Sequence, residues 1–356
     1  MIQDFSPLLD FILPRLDQSR RREGALLDKL GLAPQETPFR VALVKPGVTL
    51  KKYGVCSVDG PILVIVGAPL KRPYIWDLQP KSSVIQHCLR SDLQVYLIEW
   101  TPPTQAEQNF GLADYADRLI LDCLDTIKSQ TGQQRVFLTG HSLGGTLAAI
   151  FSALHPERVQ GLILAGAPVH FGPEVGALGP LVAIIPKATW ITTLLGNVPG
   201  SILSLSGFVV APVTFGWERW LDWLKIVNDR QARQTFLRVE RWTYDENPIA
   251  KRLFEEVIDQ LYREDRYMKG TLRVNGKQVA PELVEAPLLC IVDPRCPIVP
   301  PESMLSFQEA IRNDDTKSLW YKGDTGVSIQ HIGMLVGQEA HRQVWPEVVR
   351  WIYAHR

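Results

Sequence analysis

The sequence predicts an α/β protein, a mostly parallel sheet flanked by helices and interrupted by one mainly helical insertion. Three observations carry that reading. Short apolar, β-branched runs recur at residues 62–66, 95–98, 136–138, 162–164 and 288–292. They are too short for buried helices, and unbroken apolar character marks strands covered on both faces. Segments with helical spacing lie between them, at 112–128, 146–154, 302–311 and 343–353, and such alternation builds parallel crossovers. The alternation stops between about 171 and 285, where no strand pattern is found and the composition shifts.

Taken in chain order, residues 1–39 read as a helical arm. Phe5, Leu8, Leu9, Phe11, Ile12 and Leu16 are spaced for one or two helices packed on the main body, ending near Gly31. A linker at 34–38 follows. Residues 40–170 and 286–356 form the core, and 171–285 the inserted cap. The stretch 178–213 is apolar enough to suggest a membrane span, but Lys187, Pro186, Pro199, Gly200 and Pro212 interrupt it. A helical cap fits better. Half of the ten tryptophans fall in this insertion, and Trp220 and Trp223 are spaced for one helix face, which reads as cap core.

The whole chain has 356 residues, 46% hydrophobic and 21% charged, the composition of a folded, enzyme-sized protein. Its 38 basic and 38 acidic residues cancel, so no global positive field is available to hold nucleic acid by its phosphates. Cys56, Cys88, Cys123, Cys290 and Cys296 are odd in number and show no paired CxxC spacing. Free thiols, no metal and no cofactor are the expectation, in a reducing cytoplasm. Residues 1–13 carry two acids and a Pro, ahead of the basic cluster Arg20-Arg21-Arg22, the reverse of a secretory leader.

The strongest chemical signal is Gly140-His141-Ser142-Leu143-Gly144-Gly145, after the strand Val136-Phe137-Leu138 and before the small-residue helix Thr146-Leu147-Ala148-Ala149. This is the setting of a nucleophile elbow and predicts an α/β-hydrolase fold. A sharp strand-to-helix turn lifts the serine oxygen above the sheet, and glycines let the backbone fold back on itself. The amide of Leu143, at the helix start, can stabilise an oxyanion. The second donor belongs in the loop 67–72; Pro69 has no N–H, which leaves Ala68 or Leu70. Serine needs a base, and this fold orders its triad as serine, acid, histidine. His331, in a loop after the strand at 319–321, fits best, whereas His341 and His355 sit in helical charge patterns and read as solvated. Asp293, directly after the strand 288–292, leads as the acid, although an Asp there also simply turns the chain into Pro294. Asp324 is the alternative acid.

Further strings carry a family resemblance. Pro61-Ile62-Leu63-Val64-Ile65-Val66, Arg72-Pro73-Tyr74-Ile75-Trp76-Asp77-Leu78-Gln79, Val95-Tyr96-Leu97-Ile98-Glu99-Trp100, Ser152-Ala153-Leu154-His155-Pro156, Val299-Pro300-Pro301 and His331-Ile332-Gly333 resemble the catalytic subunit of the short, two-subunit polyhydroxyalkanoate synthases. The resemblance runs from about residue 45 to the end and implies action on 3-hydroxyacyl thioesters or their polyesters. It supports His331 as the base. Three positions depart: Ser142 stands where the family has its nucleophilic cysteine, Cys296 where it has its acid, and Pro168-Val169-His170-Phe171 where it has Pro-Val-Asp-Phe.

The leading functional expectation is a serine hydrolase of carboxylic esters, acting on acyl esters or hydroxyalkanoate oligoesters through Ser142, His331 and Asp293. The alternatives are a synthase-like acyltransferase using hydroxyacyl-CoA and a catalytically silent binding subunit. The expected partners are a small-molecule or oligomeric ester and no nucleic acid; association with a lipid or polyester surface and a homodimer are both left open.

Overall fold

The computed structural model describes residues 6–54, 60–172, 175–184, 187–210 and 213–356; Cys56, Pro186 and Pro212 lie outside them. Eight strands form one sheet: β1 (Phe39–Lys45), β2 (Val48–Tyr53), β3 (Ile62–Val66), β4 (Gln94–Trp100), β5 (Val136–His141), β6 (Val159–Ala165), β7 (Leu288–Val292) and β8 (Thr316–Trp320). Their spatial order is β1-β2-β4-β3-β5-β6-β7-β8. The β1–β2 and β2–β4 pairs are antiparallel, and every later pair is parallel. The α/β expectation therefore holds. The first two strands were not legible, because Arg40, Lys45, Lys51 and Lys52 break their apolar pattern. An antiparallel edge needs no burial on both faces.

Alternation along β3 shows how the sheet divides two cores. Ile62, Val64 and Val66 face the cluster built with helices Leu119–Thr131, Leu143–Leu154 and Pro301–Ala310. Leu63 and Ile65 face the opposite cluster, with Val84–Arg90, Gln330–Val336 and Trp345–Ala354. Successive strand side chains point to opposite faces, so a run of five apolar residues feeds both layers.

Between β6 and β7 the chain is mainly helical, with helices at Ala188–Leu195, Gly200–Val210, Arg219–Ile226 and Arg230–Thr243 among others. It also holds a hairpin, Leu272–Val274 with Lys277–Val279, where the sequence reading found no strand. The missed signal is Asn275-Gly276, both at positive φ (50° and 77°), the pair a tight hairpin turn favours. The shared tryptophan face is also corrected. Trp223 packs on Phe236 with ring centroids 5.3 Å apart, while Trp220 is 53% exposed and stacks on Trp217, which is also exposed. Among the described residues no single helix is long and apolar enough to cross a membrane. The N-terminal helix Ser6–Leu27 ends in a kink at Gly31 (φ 80°). It rests on helices of the 171–285 stretch, and the ion pairs Arg20–Glu246 and Arg241–Asp28 hold it there.

Candidate active site

Ser142 sits between β5 and helix Leu143–Leu154 with φ 53° and ψ −136°, a conformation that L-residues avoid and that persists only when its surroundings enforce it. The glycines explain how. A Cβ on Gly140 would lie 2.5 Å from the Gly144 backbone, and one on Gly144 would lie 2.3 Å from the Val66 carbonyl. The Ser142 carbonyl accepts from Gly145 N–H at 2.8 Å, which starts the helix. Leu143 then supplies a first helical amide without an intrahelical acceptor. Ala68 and Leu70, from the loop after β3, line the same cavity as Ser142.

His331 lines that cavity too. It stands in the first turn of helix Gln330–Val336 rather than in an open loop. Its Nδ1 lies 3.3 Å from the Cys296 thiol, and its Nε2 is buried with no hydrogen-bond partner among the described residues. Burial, with His141 alongside, holds His331 well below the usual imidazole range. The ring is therefore neutral at pH 7 and able to accept a proton.

Neither candidate acid is hydrogen-bonded to His331 among the described residues. Asp293 is buried; its Oδ1 accepts from the Arg295 N–H at 2.9 Å, and its Oδ2 has no partner among the described residues. Asp293 and His331 border a neighbouring cavity, yet no hydrogen bond joins them among the described residues. Asp324 is committed elsewhere: it accepts from Tyr321 Oη (2.9 Å), Glu339 N–H (2.9 Å) and Ala340 N–H (3.3 Å). Those bonds pin the start of the C-terminal helical region. Cys296 is the side chain that meets His331 Nδ1. Its sulfur also accepts from Val299 N–H at 3.4 Å, and burial pushes the thiol up to about 11. It is protonated at neutral pH and supplies no countercharge.

One residue of the site escaped the sequence reading, which weighed only histidines after the serine. His141 Nε2 lies 2.8 Å from the His331 carbonyl oxygen; a carbonyl only accepts, so Nε2 carries the hydrogen. The two rings are 4.4 Å apart, and burial brings His141 down to about 4. A neutral His141 thus ties the elbow to the backbone of the base. Its place inside the Gly-x-Ser-x-Gly motif was the available signal. His341, read as solvated, is half-buried, and burial takes it to about 4.

Comparison with known proteins places the fold and the family. Residues 60–191 match the model of the alpha/beta hydrolase fold. The chain is 33% identical over 296 residues to poly(3-hydroxyalkanoate) polymerase subunit PhaC of Haloferax mediterranei, covering 82% of this chain and 58% of that one. The PhaC subunit of Allochromatium vinosum is 28% identical, with 95% of each chain covered. The chain belongs to the polyhydroxyalkanoate synthase family of the α/β-hydrolase superfamily. This synthase-family chain spans 58% and 61% of the two haloarchaeal relatives that it matches, from Haloferax mediterranei and Haloarcula marismortui. Among solved structures it is similar to a monoacylglycerol lipase of Paleococcus ferrophilus, with TM-score 0.51, 18% identity and coverage of 87% of this chain and 99% of that one. A meta-cleavage product hydrolase of Pseudomonas fluorescens gives TM-score 0.50 at 16% identity, covering 89% and 97%. At those identities the likeness is one of fold.

Proposed function

We propose that this chain is an acyl-transferring enzyme that carries a hydroxyacyl group on the oxygen of Ser142. The observation that carries the reading is Ser142 in its strained elbow on one cavity with a neutral His331 whose Nε2 is free. In acylation, Ser142 Oγ bonds to the acyl carbon while its proton passes to His331 Nε2. The carbon–sulfur or carbon–oxygen bond to the leaving group then breaks, and His331 returns the proton to it. The Leu143 amide, with Ala68 or Leu70, stabilises the oxyanion between the two steps. For Nε2 to accept a proton, Nδ1 must carry the hydrogen and donate it to Cys296 Sγ. Cys296 therefore acts as a positioning residue for the base.

Two acceptors are open to the acyl-enzyme. The relatives are named polymerases, which favours the hydroxyl of another hydroxyacyl unit and growth of a chain. Ser142 itself favours the second reading, ester hydrolysis. A cysteine nucleophile keeps the thioester's activation in the acyl-enzyme, whereas an oxygen ester discards much of it, and water at ~55 M then competes with scarce alcohols. The test is incubation with a 3-hydroxybutyryl thioester and mass analysis of the products. Oligomers that lengthen with time establish transfer, and free acid alone establishes hydrolysis. No turnover together with no labelling by a fluorophosphonate probe would defeat both readings and leave a binding subunit.

A further inference from the structure

His141 ends β5, stands next to Ser142 in the chain, and lines the cavity that holds Ser142 and His331. Its surroundings fix its tautomer. Nε2 lies 2.8 Å from the His331 carbonyl oxygen, which only accepts, so Nε2 carries the hydrogen and Nδ1 keeps a bare lone pair. Burial brings the ring down to about 4, so it stays neutral near pH 7. Nδ1 is therefore an acceptor that cannot donate. No hydrogen-bond partner for it is found among the described residues, although the residue is only 7% exposed. A buried polar atom left unpaired costs roughly 1–3 kcal/mol, and folded proteins rarely leave one so.

The rest of the cavity makes this acceptor informative. Much of its wall is apolar, with Leu70, Ile298, Ile329 and Ile332 among the side chains. A hydroxyl carried into such surroundings gives up its water and needs a new partner. Other acceptors on the wall are engaged. Glu246 Oε1 takes Arg20 and Lys71, and its Oε2 takes Arg20 again; His331 Nε2 takes the Ser142 proton in the proposed reaction. The His141 ring, by contrast, lies 4.4 Å from the His331 ring and belongs to the residue before the nucleophile. Its lone pair is thus held at the reacting end of the cavity, beside the first carbons of an acyl chain on Ser142.

We propose that His141 is the residue by which this enzyme selects hydroxylated acyl groups, its Nδ1 accepting a hydrogen bond from a hydroxyl close to the reacting carbonyl. The inference rests on the acyl transfer proposed above and assigns to one side chain the choice between hydroxyacyl and plain acyl donors. A donor without the hydroxyl leaves Nδ1 unpaired, and an unpaired polar group rejects the wrong substrate more strongly than a loose apolar fit does. Because Nε2 of the same ring holds the His331 backbone, substrate hydroxyl and base are joined through a single imidazole.

The experiment compares kcat/KM of the full chain for the N-acetylcysteamine thioesters of 3-hydroxybutyrate, 3-methoxybutyrate and butyrate. The wild type should prefer the hydroxy donor to butyrate by about tenfold, the scale of one hydrogen bond to an otherwise unpaired acceptor. The methoxy donor has the oxygen but no hydrogen to give, and should rank no higher than butyrate. His141→Phe should slow every donor, because the tie to His331 is lost, and should also bring the hydroxy-to-butyryl ratio near one. His141→Gln, whose amide both donates and accepts, should keep the ratio. No hydroxyl preference in the wild type, or a ratio unchanged in His141→Phe, overturns the assignment. Histidine ¹⁵N spectra of the Ser142→Ala chain read the contact without turnover. The unprotonated Nδ1 signal of His141, identified by its loss in His141→Gln, should move on adding the hydroxy thioester and stay in place with the butyryl one. Such movement sustains the contact even if no donor is turned over, a result that would defeat only the catalytic reading. Equal movement with both thioesters, or none with either, refutes it.

Discussion

Cys296→Asp should make this protein faster. The substitution puts a carboxylate where His331 Nδ1 now meets only a thiol at 3.3 Å, and the Val299 N–H that points at the sulfur remains to donate to it. As His331 takes the Ser142 proton it becomes imidazolium, which a neutral thiol does not stabilise. Opposite unit charges about 4 Å apart attract by about 4 kcal/mol at an effective dielectric of 20. Desolvation opposes this, as the upward shift that burial gives Asp293 three residues away illustrates. A net gain of about 1.5–3 kcal/mol remains, roughly 10- to 100-fold in kcat/KM. The pH profile supplies an independent reading. In the wild type, burial holds His331 well below the usual imidazole range, so the acid limb is displaced downward; a neighbouring carboxylate raises the folded pKa and moves the limb upward. Cys296→Ala should lose only a neutral hydrogen bond, roughly two- to tenfold. The assay is p-nitrophenyl ester turnover from pH 4 to 9, with circular dichroism to confirm the fold. A folded Cys296→Asp no faster than wild type, with its acid limb unmoved, would refute the role given to this thiol.

Ser142→Ala and His331→Ala should each lower turnover by roughly 10⁴–10⁶, and the double variant should be no worse, because the pair acts as one unit; retained activity in either moves the nucleophile or base elsewhere. Asp324→Asn should lower stability by about 1–3 kcal/mol in a denaturant melt, since it weakens a carboxylate that accepts three hydrogen bonds. Asp293→Asn should leave turnover within roughly threefold, and a collapse of activity there would restore Asp293 as the acid. Gly144→Ala should abolish fluorophosphonate labelling of Ser142, because its Cβ would sit 2.3 Å from the Val66 carbonyl and the elbow cannot close.

What the sequence made legible follows from how local each signal is. The strand 62–66 and the elbow at 140–145 are visible because burial on two faces and a glycine-lined turn impose their residues directly. Ser142 and His331 are anchored by chain order. The partner of His331 Nδ1 is not legible for a physical reason: Asp293 follows the strand directly and has the right chemistry, but the side chain that meets Nδ1 stands three residues further along the turn, at Cys296. Matching the Val299-Pro300-Pro301 segment pointed to Cys296, a residue that chemistry alone would not nominate. His141 was overlooked because only histidines after the serine were weighed.

The two exchanges, serine for the nucleophilic cysteine and cysteine for the acid, act on the rate in the same direction. A serine hydroxyl is a weaker nucleophile than a thiol near neutral pH and depends more heavily on its base. On the proposed reading, His331 Nδ1 meets only a neutral thiol, and acyl-enzyme formation would rest on the oxyanion donors, a neutral imidazole of the right tautomer, and accurate placement of the acyl carbon over Ser142. Placement is where binding far from the reacting bond contributes, since energy from a remote group can be spent on orientation at the centre.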